Sequence, residues 1–261
     1  MELLAAGFNA WRQLEFGDEQ NDPREPDILS FKSILKDDHI ERPCSLLSCT
    51  FEYDDVGIIS QYTSQPVAGT HEQQRFTGMG QIAQLVAYET GFVALSCDGH
   101  VWTWGDERYS ACLGRPVTHS SPAEKPGLVE ELEDLPTGKI TKICAAGYLA
   151  FALTEGNDLY AWGGHPGRPA ILEDLSDSPT PVVVEESDIM DCGVGESHII
   201  VLGSEYEVYV IGNNSNGQLG LPVNEAKSWT RVSLHLEEGQ VVCGVEAGKR
   251  TSFILTKHQI P

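Results

Sequence analysis

Nucleophilic catalysis needs a serine or cysteine held beside a base, and this sequence offers no framework for one. It contains neither a G-x-S-x-G turn nor a nucleophilic cysteine motif. Seven cysteines (Cys44, Cys49, Cys97, Cys112, Cys144, Cys192 and Cys243) are scattered without a C-x-x-C pair. That pattern gives neither zinc spacing nor a disulfide framework, and it reads as reduced thiols. Cys192 aligns with Leu85, Ile143 and Val245, as a core filler would. Among the eight histidines none has a partner at metal-ligand spacing. Carboxylates are plentiful, yet no pair is singled out as acid and base. Phosphate-cradling loops of the G-x-x-x-x-G-K-[ST] or strand-coupled G-x-G-x-x-G type are missing. The expectation is a protein that is not an enzyme, with no catalytic residues, no metal and no cofactor.

Charge points the same way. Seventeen basic residues against 39 acidic ones leave a formal net charge of −22. Such a surface repels nucleic-acid phosphates, so no direct nucleic-acid binding is expected. It favours a partner protein with a basic surface. The leading MELLAAGFNAWRQLEF lacks a basic n-region, and its apolar run covers only Leu3 to Ala6, unlike a secretion signal. No stretch approaches the roughly 20 apolar residues that span a bilayer. The expectation is no membrane, a cytoplasmic and/or nuclear location, and a monomer when alone.

The elements that must position any binding group come from a repeat. Ala87 to Leu95, a polar turn, then Val101 to Gly105 form one copy. Ala145 to Leu153 with Leu159 to Gly163 form a second, and Gly195 to Leu202 with Val208 to Gly212 a third. Each reads as a β-hairpin whose second strand ends in glycine. Asp98-Gly99 is the strongest turn dipeptide of the three. Both faces of these strands are fairly apolar, as they are when a hairpin lies between neighbouring sheets.

A fourth first strand, Gly248 to Leu255, lacks its partner near the C-terminus. Leu3 to Gly7 supplies it, matching Val208 to Gly212. The likeness extends into a G-x-N-x-x-x-Q-L tail shared by Gly7-Phe-Asn9 with Gln13-Leu14 and by Gly212-Asn-Asn214 with Gln218-Leu219. The strand-end glycines lie 58 residues apart from Gly105 to Gly163 and 49 from Gly163 to Gly212. From Gly7 to Gly105 is 98, which is two periods, so a degenerate repeat lies between, with candidate strands Ser48 to Phe51 and Val56 to Ser60. The expected fold class is all-β: a single β-propeller of about five four-stranded blades, its N- and C-terminal strands sharing the closing blade. One domain then covers 1–261. Its repeats are 30–80 (degenerate), 81–138, 139–187, 188–239, and 240–261 joined with 1–14.

This unit resembles the regulator of chromosome condensation repeat. The resemblance rests on Gly195-Glu-Ser-His198, on Gly212-Asn-Asn214-Ser-Asn-Gly217-Gln-Leu-Gly220, and on the pairs Trp104-Gly105 and Trp162-Gly163. Members of the family usually carry more repeats than this chain. They include a guanine-nucleotide exchange factor, ubiquitin-ligase modules, photoreceptors and small adaptors, the last including short tubulin-suppressor-like proteins. The resemblance implies three functions. The first is a non-enzymatic scaffold that binds a partner protein through one propeller face. The second is an exchange factor for a small GTPase, for which residues 115–138 are the one obvious insertion. The third is an adaptor in tRNA modification or diphthamide synthesis. In the family's recurrent slot, His198, and Thr251 in the last repeat, imply structural roles.

Candidate contacts lie in the connections. Trp11 and Arg12 stand where Asn216 and Gly217 stand in the third unit, and Arg108 and Tyr109 lie in the loop after Gly105. Exposed Trp, Tyr and Arg dominate interface hot spots. The acidic run Glu130, Glu131, Glu133 and Asp134, with others at Asp18 to Asp27 and Glu185 to Asp188, suits docking of a basic protein.

Overall fold

A computed structural model describes residues 1–9, 27–38, 40, 50–53, 59–62 and 73–259 of the chain. Strands β1 (Glu2–Phe8) and β2 (Asp27–Lys36) are followed by the three-stranded sheet β3 (Thr50–Tyr53), β4 (Ile59–Tyr62) and β5 (Gln73–Phe76). Three four-stranded meanders come next. The first is β6 (Ile82–Tyr88), β7 (Gly91–Ser96), β8 (Val101–Gly105) and β9 (Gly127–Leu128). The second is β10 (Ile140–Ala146), β11 (Leu149–Thr154), β12 (Leu159–Gly163) and β13 (Thr180–Pro181). The third is β14 (Ile189–Val194), β15 (His198–Gly203), β16 (Val208–Asn213) and β17 (Glu225–Arg231). Finally β18 (Gln240–Gly248) and β19 (Thr251–His258) join the first two strands in the order β18-β19-β1-β2.

The closing sheet is therefore built from both ends of the sequence. β1 pairs antiparallel with β19, Leu3 opposite Leu255 and Gly7 opposite Thr251. Its other edge pairs with β2. Two stretches distant in sequence thus share one ladder, and neither is left as an open edge.

The recurrent glycine has a steric cause. Gly212 sits at φ +112, opposite His198, and a Cβ there would overlap the Ser197 carbonyl. Without one, the chain approaches closely enough for Asn213 N–H to donate to that carbonyl at 2.8 Å. Gly7 does the same at φ +128, and Phe8 N–H donates to the Arg250 carbonyl at 2.9 Å. Any L-residue at these two positions would meet both a clash and an unfavourable φ.

The chain divides into two compact units, Met1–Ser45 with Val183–Pro261, and Leu46–Val182. In the first, Ile200, Leu202, Val210, Val242, Val245 and Ile254 fill the space between the β14–β17 sheet and the closing sheet. In the second, Val93, Leu95, Ile143, Ala150 and Trp162 do so between the β6–β9 and β10–β13 sheets. Each unit adds one polar tie. The register slips by one residue before Asp191, and before Gln84. At these bulges the side chain turns toward the adjoining sheet. Asp191 Oδ2 accepts Val245 N–H at 2.9 Å, and Gln84 Oε1 accepts Ile143 N–H at 2.8 Å.

Among the described residues Cys97, Cys112, Cys144, Cys192 and Cys243 form no disulfide, and Cys112, Cys144 and Cys192 are buried. His198 is fully buried. Its imidazole fills the space left by Gly195, where a Cβ would overlap Cε1 and Nδ1.

Candidate functional site

The second unit carries a rigid connection between β8 and β9. Asp106 opens it: its carboxylate accepts Arg108 N–H at 3.0 Å, capping a short 3₁₀ segment, Glu107–Leu113, that bends at Tyr109. Gly114 ends it in the left-handed region at φ +62, flat against the Trp162 indole, where a Cβ would overlap the ring. Four bonds then pin the segment to its surroundings. The Cys112 carbonyl accepts Tyr88 Oη–H at 2.9 Å and Trp162 Nε1–H at 3.1 Å. Cys112 Sγ donates to the Tyr148 carbonyl at 3.3 Å, and Thr103 Oγ1 donates to the Leu113 carbonyl at 2.5 Å. Burial pushes the Tyr88 phenol and the Cys112 thiol above their ordinary pKa values, so both stay protonated donors at neutral pH.

Beyond Gly114, Arg115 is buried without a carboxylate partner among the described residues. Its guanidinium donates instead to the carbonyls of Thr103, Ser121, Pro122 and Lys125 and to the hydroxyls of Thr103 and Ser121. Desolvation lowers its pKa, but an arginine stays charged through any ordinary range. It fixes the 116–126 loop, and the chain then returns to the sheet as β9. The insertion at 115–138 is thus partly a blade strand and partly an arginine-held loop.

Arg108 is exposed, and Asp106 holds its guanidinium through Nε–H and Nη2–H bonds of 2.5 to 3.0 Å. That pairing raises the pKa of Arg108 and lowers that of Asp106. Tyr109 faces the other way, into an aromatic group. Its ring centroid lies 5.3 Å from that of Tyr148 and 5.6 Å from that of His165. Tyr148 and His165 meet edge to face at 4.5 Å, and the Arg168 guanidinium stands over the Tyr148 ring at 5.5 Å. A Pro-Gly turn makes this possible. His165 to Arg168 closes with Arg168 N–H donating to the His165 carbonyl at 3.1 Å, and Gly167 takes φ +93. The turn sets His165 and Arg168 on the same tyrosine.

The acidic residues are elsewhere. Glu130 and Glu131 lie in a 3₁₀ turn after β9, followed by Glu133 and by Asp134 at φ +52. His100 Nδ1 is 2.7 Å from the Glu133 carboxylate, which places this run beside the turn that precedes β8. Arg108 and Tyr109 follow the far end of β8, roughly 15 Å away at the usual rise of a strand. The structure brings Arg108 and Tyr109 together and does not bring Glu130, Glu131, Glu133 or Asp134 to them. Trp11 and Arg12 lie outside the described residues. Sequence reasoning missed Tyr148, His165 and Arg168. His-Pro-Gly-Arg was the signal available for two of them, and Tyr148, in the hairpin turn beside Gly147, carried none. Among the described residues no group of His, Cys, Asp and Glu could hold a metal ion, and no helix is long and apolar enough to cross a membrane.

Comparison with known proteins adds a family signal. Residues 98–153 match the model of the regulator of chromosome condensation (RCC1) repeat. The mouse regulator of chromosome condensation is 30% identical over 132 residues, covering 49% of this chain and 30% of that protein. The human E3 ubiquitin-protein ligase HERC2 is 28% identical over 138 residues, 48% of this chain and 2% of that protein. The chain therefore spans under a third of the length of these relatives. Among solved structures, human WBSCR16 superposes with a TM-score of 0.60 at 19% identity, covering 97% of this chain and 67% of that one. Saccharomyces cerevisiae Prp20p also gives 0.60, at 17% identity, over 80% of this chain and 54% of that one. With the five antiparallel sheets, these likenesses establish the fold class as an all-β propeller.

Proposed function

We propose that this chain, similar to the RCC1 repeat over residues 98–153, is a non-enzymatic scaffold that docks a partner protein on the loops at one end of its blades. One observation carries this reading. The Glu107–Leu113 segment is pinned by main-chain and side-chain bonds and presents Tyr109 on a half-buried aromatic group. Aromatic anchors that are already ordered lose little entropy on binding. The similarly folded Prp20p of Saccharomyces cerevisiae has binding properties toward Gsp1p and histones, and Kap60 is seen bound to it. Protein recognition is thus a use to which this fold is put. The charge of −22 favours a basic partner and speeds its approach. The proposed location is cytoplasmic and/or nuclear.

The test is affinity capture with quantitative mass spectrometry, comparing the wild type with Tyr109→Ala. A partner enriched reproducibly by the wild type and lost with Tyr109→Ala is the expected result. Capture that is indifferent to Tyr109 would refute docking at this end.

A second reading, guanine-nucleotide exchange on a small GTPase, draws on the 116–126 loop, which Arg115 holds in one arrangement. Nucleotide-release assays over a panel of small GTPases decide it, and no acceleration would end it.

A further inference from the structure

We propose that the face of Tyr148 is a seat for an arginine side chain of a basic partner segment, and that Arg168 is its built-in occupant. The inference rests on the scaffold reading above and identifies the chemistry of the group that docks.

The seat is already shown to hold a guanidinium, because Arg168 lies over the ring at 5.5 Å. A planar cation above a tyrosine face is held by the ring quadrupole, and the hold strengthens as water is excluded. Tyr148 is fixed for the purpose. Its carbonyl accepts Cys112 Sγ–H at 3.3 Å and Gly164 N–H at 2.8 Å. Tyr109 and His165 pack on the same ring, so the face does not turn away when its occupant leaves.

The occupant itself is loosely held. Arg168 is exposed, and among the described residues no carboxylate pairs with it. It sits on a Pro-Gly turn whose Gly167 has open space around it. Arg108, the other nearby cation, is committed to Asp106 and does not compete for the ring. Glu107 beside it is exposed, and the net charge of −22 favours a cationic newcomer over an anionic one. A partner's arginine can therefore take the ring while Arg168 moves into solvent. The apparent affinity is lowered by the fraction of time Arg168 is seated.

The experiment measures fluorescence anisotropy of a labelled glycine–arginine repeat peptide, and of its glycine–glutamate counterpart, against the full chain at physiological salt. Removing the occupant, Arg168→Ala, should tighten arginine-peptide binding roughly three- to fivefold. Tyr148→Leu keeps apolar bulk but removes the ring and should weaken it roughly three- to tenfold. Tyr148→Phe keeps the ring face and should leave binding within twofold. Unchanged or weaker binding with Arg168→Ala would overturn the proposal, as would preference for the glutamate peptide. Arg168 is exposed, so that variant does not depend on refolding a core. If these variants leave peptide binding unmoved while Tyr109→Ala still abolishes partner capture, the arginine seat falls and the scaffold stands. If Tyr109→Ala also leaves capture intact, both fall.

Discussion

The buried carboxylate of Asp191 accepts the main-chain N–H of Val245 from the adjoining sheet at 2.9 Å, while its other oxygen accepts Cys192 N–H at 3.0 Å. Gln84 repeats the sheet-to-sheet contact in the other unit, on Ile143. Both stand at the same bulge of their repeats. Hydrophobic packing between sheets is non-directional, and this contact supplies direction: it fixes which residue of one strand faces which of the next.

Asp191→Ala should cost about 2–4 kcal/mol, because it removes the carboxylate that accepts from two buried N–H groups. Asp191→Asn keeps an acceptor and should cost much less. Gln84→Ala, at a half-buried site, should fall between the two. Equilibrium urea unfolding measures all three, and equal losses for Ala and Asn at 191 would show that the charge matters and the acceptor does not.

His198 makes stability depend on pH. In the unfolded chain its imidazole takes a proton near 6.5; full burial in the fold pushes that pKa down to about 4, against a small opposing effect from the Thr251 backbone. Between those values the unfolded state binds more protons. Stability therefore falls as pH drops from 6.5 toward 4, by on the order of 3 kcal/mol at most, and this group contributes no dependence above 6.5. A histidine Cε1–H resonance titrating near 4 in the folded protein would bear this out; one titrating above 6 would contradict it.

Arg115 should be hard to replace. Arg115→Lys loses the planar fork that serves carbonyls on both sides, and Arg115→Met removes every one of those donors. Each should lower stability by about 2–4 kcal/mol and raise proteolysis within 116–126. Limited proteolysis with mass spectrometry reads the second effect separately from the first.

Removing residues 1–8 should expose the edge of β19 and strip β2 of the strand it pairs with. The unfolding temperature should drop by roughly 10 °C or more. An unchanged temperature would mean that β1 does not complete the sheet in solution.

The hairpins were legible because steric demands leave marks in single residues. The glycine opposite each first strand, the Trp-Gly pairs and the G-x-N tail are local, so Gly7, Gly212 and Asn214 announced the shared closing sheet. Asn214 earns its place inside its own loop, donating to the Leu221 carbonyl at 2.8 Å and accepting Leu219 N–H at 2.7 Å. β2 carries no such mark, since an outer strand needs only to pair on one side. The bulges before Gln84 and Asp191 change register by one residue, which no periodicity reveals. The candidate site was half legible. Arg108 and Tyr109 stood out by type and loop position, but the partners of Tyr109 arrive from another sheet, and Arg108 proved to be tied to Asp106. The acidic run reads as a docking surface for a basic protein. It lies at the opposite end of β8, because β9 returns antiparallel to β8 before the run begins.

A partner is expected to dock at the end of the second unit that carries Tyr109. Hydrogen–deuterium exchange on the chain with and without its captured partner tests it most directly. Slowed exchange in residues 107–113 and 164–168, with 130–134 unchanged, is the predicted result. Protection confined to 130–134, or none in 107–113, would contradict it.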